Sequence, residues 1–579
     1  MQYGRAMTPH WIIQDADPGQ VEFIRRMLDC HPVLARLLAN RGIASREAAD
    51  AFLNPRFDRL TSPFAMQDMQ PAVSRLCRAV QDREKILVFG DYDADGITAT
   101  ALLYQFLNAC GADVFYYIPH RIHEGYGLQR QHITEVALPK RVRVIVTVDC
   151  GVSSHEAVAL AAANRIDTIV TDHHDLPPRL PAALAVVNPK RRDCSAGLHT
   201  MAGVGVAFYL AVCLRTRLRE SGFFNNHREP NLKRLCDLVA LGTVADMVPL
   251  VKDNRILTKT GIDLIRAGQR SGVQALLKLC RVDPDFFDAE DIAFKIAPRL
   301  NAAGRFEHAG KSVSVLTTRN PDQAGSLALA LDQLNQARRE TEKNTLVAMQ
   351  RLLQESPDLM GTKSIVLAHK TWHEGILGIL ASRLAKRYTR PVVVIATDGE
   401  TAKGSARSVP GLNLFQALQL CASRLKGYGG HAMAAGLRLR HQDIGDFRRE
   451  FDDAVVRMSG PAAFVADIRI DCRLDFNLIS PLLMDEIEML KPFGTGNPEP
   501  LFEAGGIKVL SSNVIGGTHR RMRLAQSASR GTPVFNAVHF NAGPLPPGTS
   551  TLRKVAFRPR WNHWNGSKRL QLVIEKVVV

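Results

Sequence analysis

The sequence has no Cys-x-x-Cys pair among its ten cysteines, no Walker A motif, and no apolar run near the ~20 residues of a membrane span. Scattered single cysteines exclude a zinc ribbon and are typical of reduced thiols, so we expect a cytoplasmic protein without a membrane partner. The first 29 residues also lack the basic and then apolar pattern of a secretory signal. Without a P-loop, the chemistry of the chain should not require ATP.

Acidic residues are scarce, most of all near the C-terminus. The whole chain has 74 Lys and Arg against 57 Asp and Glu, a net charge of +17. From Gly505 to the end, twelve basic residues accompany a single acid, Glu575. A basic surplus favours an anionic partner, most often nucleic acid. A generally basic proteome is the alternative, but the surplus is concentrated in one segment.

The length of the chain, 579 residues, exceeds what one hydrophobic core supports. Strand and helix patterns alternate in two regions, which predicts two α/β lobes, the first with a parallel sheet. Short strands between Gly and Pro near the C-terminus predict an OB-like β-barrel. The predicted order is a helical cap over 1–70, a first lobe over 71–315, a connecting helix over 316–357, a second lobe over 358–460, and the barrel over 461–579.

Three carboxylates follow a predicted apolar strand, in the segment Asp91-Tyr92-Asp93-Ala94-Asp95. Like charges this close are unfavourable unless cations lie among them, so the segment indicates divalent metal. Asp93 and Asp95 share one side of the extended loop. Asp91 is the weaker candidate, since its carboxylate could instead accept hydrogen bonds from backbone amides.

Three further candidate ligands, Asp149, His173 and Asp246, also follow predicted strands or helices. Ligands of open parallel sheets bind outside the carboxyl ends of the strands, so these side chains should converge. A lone Asp at such a place is often a turn residue, and a His pair often only packs. Carboxylates with an imidazole suit Mn²⁺ better than Mg²⁺, and so many carboxylates would overcharge one ion. We therefore predict two divalent cations, Mn²⁺ or Mg²⁺.

Several motifs resemble those of the DHH phosphoesterases, notably of their exonuclease members. The resemblance rests on the segment 91–96, on Asp149-Cys150-Gly151 and on Asp172-His173-His174. It extends to the stretches 297–305 and 491–498, and so covers essentially the whole chain. It implies that the two lobes are a DHH domain and a DHH-associated domain.

The resemblance also implies roles at matched positions. The implied metal ligands are Asp93, Asp95, Asp149, His173 and Asp246. His174 is implied to lie near the scissile phosphate, which makes all six residues catalytic candidates. The implied activity is release of 5′-mononucleotides from single-stranded DNA in the 5′→3′ direction, in recombination and repair. The polarity follows from the resemblance alone.

Phosphodiester hydrolysis also needs groups that hold phosphate oxygens, and the first lobe has several candidates. They are Arg121, Arg299, Asn301 and Arg305. Any single arginine is more often a solvated surface residue. Arg305 is preferred, because Gly304 beside it lets the backbone approach closely.

In the second lobe, Ser405 and Arg407 fall on one strand face. The glycine-rich stretch around Gly430 and His431 is typical of a turn entering a helix, with free amides that could face an anion. His373 opens another helix nearby in sequence. A plain loop is the alternative for the Gly-Gly-His turn, but the resemblance implies that these motifs hold the 5′ end or adjacent phosphates.

Two stretches of the C-terminal segment combine cations with aromatic rings, as single-strand binding requires. They contain Arg520, Arg521, Arg523, Arg560, Trp561 and Trp564. The alternative is that the two tryptophans fill the core of the barrel.

These observations predict a metal-dependent 5′→3′ exonuclease that acts on single-stranded DNA. One alternative is a DHH phosphoesterase for short oligonucleotides or cyclic dinucleotides, which the chain length and the basic tail oppose. Another is a non-catalytic replication scaffold, which the complete ligand set opposes. We expect a monomer, with a helicase and a single-strand-binding protein as candidate partners.

Overall fold

The structure is a computed structural model, and it describes residues 10–579 except 461, 463, 466, 527–531, 544, 547 and 565–566, and except the side chains of 563, 564 and 567. The chain divides into two compact units. The smaller unit comprises the residues up to Leu60, Pro249–Lys259 and Asp467–Val579. The larger unit comprises Thr61–Val248 and Thr260–Ala466.

The helices of eight or more described residues account for most of the predicted helical patterns. In chain order they are Pro18–Leu28, Pro32–Asn40, Arg46–Leu53, Met69–Gln81, Ala94–Ala109, His155–Ala163, Gly203–Glu220, Cys236–Ala245, Lys252–Arg266, Ser271–Leu279, Ala297–Phe306, Gly310–Thr317, Pro321–Glu355, Leu377–Tyr388, Ile444–Ser459 and Pro481–Glu488.

The first sheet of the larger unit has five parallel strands, which confirms the predicted parallel α/β architecture. Across the sheet they are Val114–Tyr117, Ile86–Gly90, Val144–Val148, Asp167–Thr171 and Ala185–Val187. Two of the inner strands are buried along their whole length, as expected for a sheet covered on both faces. All five strands point the same way, so their carboxyl ends meet at one edge.

The helix Pro321–Glu355 lies within the predicted connecting segment 316–357. Asn320 caps its start by accepting hydrogen bonds from the amides of Asp322 and Gln323. The chain then forms a second, mixed sheet. Its strands, in spatial order, are Leu425–Gly430, Ala434–Arg440, Thr401–Arg407, Val392–Asp398 and Ile365–His369.

The predicted helix entry at the Gly-Gly-His turn is wrong. Leu425–Gly430 and Ala434–Arg440 form an antiparallel hairpin, and the His431 amide donates to the Ala434 carbonyl across its tip at 2.8 Å. Gly430 has a φ of +139°, which only glycine adopts readily. The two strands are poor in β-branched residues, so their sequence lacks the usual strand signature.

The smaller unit contains the predicted β-barrel. Its sheet runs in the order Cys472–Arg473, Phe502–Ile515, His519–Gln526, Phe535–His539, Ser567–Val578 and Thr551–Trp564. The strand Phe502–Ile515 also pairs with Thr551–Trp564, which closes the barrel. A short parallel pair, Trp11–Ile13 with Ile468–Ile470, lies outside this sheet. Among the described residues, no helix combines the length and apolar character needed to cross a bilayer.

Candidate metal centre

The segment 91–96 follows the strand Ile86–Gly90 and forms the start of the helix Ala94–Ala109. Asp93 caps that helix, because its Oδ1 accepts hydrogen bonds from the amides of Asp95 at 3.0 Å and Gly96 at 3.1 Å. A Cβ at position 96 would lie 2.6 Å from the Asp91 Cβ, so only glycine fits there. The local fold therefore brings the three carboxylates of this segment close together.

The other predicted ligands meet this segment at the same edge of the sheet. His173 Nε2 lies 3.1 Å from Asp149 Oδ1, 3.6 Å from Asp246 Oδ2 and 3.8 Å from Asp95 Oδ2. Asp95, His173 and Asp246 form one group whose possible ligand atoms all lie within 4.8 Å of one another. Asp91, Asp93 and Asp149 form a second such group. The structure thus brings together all six predicted ligand residues.

Several atoms of this cluster lack the hydrogen bonds that buried polar atoms normally make. Asp91 Oδ1, Asp149 Oδ1 and His173 Nε2 are buried and have no hydrogen-bond partner in the described chain. Carboxylate oxygens with one imidazole nitrogen are the donor set that suits Mn²⁺. The residues present therefore fit divalent cations, and the two groups fit two of them.

The charges of the cluster are out of balance without cations. Burial, and then the charge of Asp93, raises the pKa of Asp95 to about 7. Burial, and then Asp95, raises the pKa of Asp246 to about 8, and the same two causes raise that of Asp149 well above its usual range. Burial, and then the nearby His174, lowers the pKa of His173 to about 4, so its imidazole is neutral and can act as a ligand.

His174 is held by a carboxylate that the sequence analysis did not assign a role. Asp172 is fully buried and accepts hydrogen bonds from His174 Nδ1 at 2.8 Å and from the His174 amide at 3.0 Å. Burial alone would lower the pKa of His174, but the hydrogen bond with Asp172 raises it to about 9. His174 is therefore protonated at neutral pH. The signal was present, because Asp172 follows a strand just as Asp149 does.

Two further residues at the site were missed. The Tyr126 hydroxyl lies 3.1 Å from His174 Nδ1 and 3.2 Å from the Asp149 carbonyl oxygen. Gly203 begins a helix whose first amide donates to Asp95 Oδ2 at 2.7 Å, and a Cβ there would lie 2.5 Å from Asp149 Oδ1. Tyr126 follows the His123-Glu124-Gly125 stretch, which carries no metal-ligand spacing and gave no signal by itself.

Three of the predicted phosphate-binding arginines gather near this cluster without a carboxylate partner among the described residues. The guanidinium carbon of Arg121 lies 4.7 Å from the centroid of the Tyr92 ring. Arg305 donates a hydrogen bond to the Gly375 carbonyl at 2.7 Å. Arg407 donates to Ser405 Oγ at 3.2 Å. Burial, and then the charge of Arg121, lowers the pKa of Arg305 to about 9, and the same causes lower that of Arg407. Uncompensated cations this close favour binding of an anion.

Arg299 and Asn301 have contacts within the fold. Arg299 forms an ion pair with Asp332 of the connecting helix at 2.7 Å. Asn301 Oδ1 accepts a hydrogen bond from the Ala94 amide at 2.7 Å, at the segment that carries the three carboxylates. Asn301 therefore positions the segment 91–96, and a phosphate contact for either residue stays a prediction.

The predicted histidines of the second lobe occupy different surroundings. His373 Nδ1 accepts a hydrogen bond from the Gly375 amide at 3.1 Å, and its ring packs on Phe306. His431 Nδ1 lies 2.9 Å from Asp175 Oδ2, next to the Asp-His-His motif. His431, unlike His373, therefore contacts the residue that follows the Asp-His-His motif.

The predicted DNA-binding residues of the barrel separate into two groups. Arg521 and Arg523 are exposed, while Arg520 bonds to Ser512. Arg560 forms an ion pair with Glu499. Trp561 packs against the barrel core, and Lys568 Nζ lies 4.1 Å from the centroid of its ring. The side chain of Trp564 lies outside the described residues.

Comparison with family models first identifies the class of this protein. The DHH family, N-terminal domain, matches residues 85–243, and the DHHA1 domain matches residues 361–457. Together with the parallel sheet and the carboxylate cluster at its edge, these matches place the chain among the DHH proteins. A third model, the RecJ OB domain, matches residues 470–576, which form the barrel.

Whole-length relatives then identify the family. The single-stranded-DNA-specific exonuclease RecJ of Salmonella typhimurium is 38% identical over 565 residues, which cover 95% of this chain and 96% of that protein. The RecJ of Haemophilus influenzae is 37% identical over 94% of this chain and 96% of its own. The crystal structure of RecJ in complex with Mn²⁺ from Thermus thermophilus is 29% identical with a TM-score of 0.82, covering 98% of this chain and 79% of that one. The chain belongs to the RecJ family.

Proposed function

We propose that this chain is a metal-dependent exonuclease that hydrolyses single-stranded DNA from its 5′ end, releases 5′-mononucleotides, and acts in recombination and repair. The observation that carries the proposal is the group of buried Asp95, Asp149 and His173 with the partly buried Asp246, beside arginines that have no carboxylate partner among the described residues. The full-length relatives described as single-stranded-DNA-specific exonucleases support the substrate class.

Two divalent cations fit the centre, and we propose Mn²⁺ or Mg²⁺. Asp95, His173 and Asp246 would hold one, and Asp91, Asp93 and Asp149 the other. Crystal structures of the Thermus relative are described as complexes with Mn²⁺ and with Mg²⁺. Such ions, when bound, neutralise phosphate charge and lower the pKa of water.

The protein's own side chains then bind and orient the substrate. Arg121, Arg305 and Arg407 would hold the 5′-terminal phosphate, because no described carboxylate neutralises them and guanidinium groups bind phosphate oxygens in pairs. His174, held protonated by Asp172, would donate a hydrogen bond to an oxygen of the scissile phosphate. A terminal phosphate held by these arginines would set the cut one nucleotide from the end.

The two alternative functions receive less support. A phosphoesterase for dinucleotides would have no use for a closed barrel that matches the RecJ OB domain. A scaffold would have no use for buried carboxylate oxygens and a buried imidazole nitrogen that have no hydrogen-bond partner in the described part of the chain. We further propose that the chain acts as a monomer in the cytoplasm on strands exposed by a helicase or presented by a single-strand-binding protein. The ten free cysteines, all in described residues, support a reducing compartment.

The test uses 5′-labelled single-stranded and blunt duplex oligonucleotides with Mn²⁺ or EDTA. The expected result is labelled mononucleotide as the first product, from single strands only and only with the metal. An inert chain would overturn the proposal. Activity confined to dinucleotides would favour the small-substrate alternative instead.

Arg407→Gln should remove the preference for a 5′-phosphate. We expect KM for a 5′-phosphorylated single strand to rise about tenfold or more, because a charged hydrogen-bond pair is lost. KM for the same strand with a 5′-hydroxyl should change little. Arg387→Gln, an exposed charge removed from the helix Leu377–Tyr388, is the control. An equal rise in KM for the 5′-phosphorylated strand and the 5′-hydroxyl strand would mean that Arg407 binds a different phosphate.

A further inference from the structure

One face of the second sheet is covered by the helix Leu377–Tyr388 at the strand Val392–Asp398, but it is left uncovered at the glycines of the hairpin, and it carries cations at both ends. Along the strand Thr401–Arg407, the alternate residues Lys403, Ser405 and Arg407 share this face. Their partners on the strand Ala434–Arg440 are Arg438, Gly436 and Ala434. The opposite face holds Ala402, Ala406 and Leu437, which are buried in the hydrophobic core.

The middle of this face consists of glycines that the fold does not require. Gly427 and Gly429 pair with Arg438 and Gly436 across the hairpin. A Cβ built at Gly427, Gly429 or Gly436 would meet nothing within 4 Å, and none of the three has a positive φ. Larger residues would therefore fit the protein itself, and the glycines leave bare backbone facing open space. We call this face, from Lys403 and Arg438 to Arg407, the glycine face.

The glycine face borders a large cleft that reaches the metal centre. The cleft has a volume of about 1390 Å³, and Gly427, Gly429 and Gly436 line it together with Tyr126 and His174. The three arginines proposed for the terminal phosphate are absent from its described lining. The cleft and the arginine cluster therefore serve different parts of a bound strand.

Two cations at the far end of the glycine face have no carboxylate partner in the described part of the chain. Lys426 and Arg438 are exposed and both line the cleft. Arg438 lies opposite Lys403 on the neighbouring strand. Lys403 is four residues from Arg407 along its own strand, a backbone separation of about 13 Å. Arg407 instead donates to Ser405 Oγ and to the Ala406 carbonyl within its own strand.

We propose that the glycine face is a second phosphate-binding site, which takes the DNA backbone on the 3′ side of the scissile bond. Lys426 and Arg438 bind phosphates there, and the glycines let the sugar–phosphate chain lie against the sheet. This inference rests on the proposed function, because it names where the remaining strand runs. It explains why the glycines are present although the fold does not require them.

The test is the double variant Lys426→Gln/Arg438→Gln, compared with the parent chain on a 5′-phosphorylated 12-mer and a 5′-phosphorylated dinucleotide. Binding of labelled 12-mer, measured by fluorescence anisotropy in EDTA, should weaken about tenfold. Its dependence on log[salt] should flatten by roughly 1.4, or 0.7 for each phosphate that is no longer neutralised. With Mn²⁺, KM should rise more for the 12-mer than for the dinucleotide.

A matched control removes the same charge elsewhere. Arg449→Gln/Arg457→Gln changes two exposed arginines of the helix Ile444–Ser459, and should leave binding of the 12-mer within about twofold. A third variant, Gly436→Leu, fills the glycine face without changing charge, and should reproduce the selective loss with the 12-mer.

The outcomes separate this inference from the proposed function. A parent chain that cleaves neither substrate contradicts the proposed function, while anisotropy still measures the contribution of the glycine face. Suppose instead that the parent chain cleaves both substrates. If the variants then weaken the use of the 12-mer and of the dinucleotide equally, or weaken neither, the result overturns the proposal for the glycine face alone. An equal loss in the Arg449→Gln/Arg457→Gln control would also overturn it, because the effect would then be general charge attraction.

Discussion

Asp149→Asn is expected to lower kcat on single-stranded DNA by at least about 10³-fold while the chain stays folded. Asp149 is fully buried, lies 3.1 Å from His173 Nε2, and belongs to the group that also contains Asp91 and Asp93. The amide has the same shape but lacks the charge that holds a cation. A loss of this size corresponds to about 4 kcal/mol of transition-state stabilisation.

The same substitution should stabilise the metal-free chain. Burial and the carboxylates of Asp95 and Asp93 raise the pKa of Asp149, which means that its charged form is unfavourable in the folded state. Removing that charge relieves the repulsion, so thermal unfolding in EDTA at pH 8 should occur at a higher temperature. Loss of activity with gain of stability is the pattern expected for a functional residue. A variant that is both inactive and less stable would indicate that Asp149 supports the fold instead.

Mn²⁺ should stabilise the protein far more at pH 8 than at pH 5. We expect the unfolding temperature to rise by about 5 °C or more at pH 8 with saturating metal, and by about 1 °C or less at pH 5. The pKa values of Asp95 and Asp246, raised to about 7 and about 8, mean that these ligands are protonated at pH 5. Protons and cations then compete for the same oxygens.

The metal-free chain should show the opposite dependence on pH. Between the ordinary carboxyl pKa of 3.8 and the raised values of about 7 and about 8, the folded state binds more protons than the unfolded state. The contribution of Asp95 and Asp246 to stability is therefore present below pH 3.8 and is lost as pH rises through the raised values.

Differential scanning calorimetry in EDTA and in Mn²⁺, from about pH 4 to about pH 9, measures both dependences. Asp82→Asn, which removes an exposed carboxylate of the same unit, should leave them unchanged. Asp246→Asn should reduce the Mn²⁺ shift and flatten the metal-free curve. A Mn²⁺ shift of equal size at pH 5 and pH 8 would contradict this interpretation of the cluster.

Most of the fold could be predicted from local patterns in the sequence. The continuous apolar run Ile86–Gly90 predicts a buried strand, and the helix Pro321–Glu355 lies within the predicted connecting segment 316–357. The hairpin that carries His431 was not predicted, because its strands contain four glycines and no β-branched residue, although the residues from Leu437 to Arg440 alternate between leucine and arginine. Its strand character comes from pairing with Thr401–Arg407, a contact between segments distant in sequence.

The sequence by itself determined which residue types are available at the metal centre, because Asp93, Asp149 and His173 each follow a strand whose carboxyl end lies at the same edge of a parallel sheet. Only the tertiary structure decided their partners: Asp172 holds His174, Asn301 holds the segment 91–96, and Arg299 pairs with Asp332. The tertiary structure also brings Arg121, Arg305 and Arg407 close together. Such pairings depend on the packing of distant segments, which no local pattern of apolar and charged residues encodes.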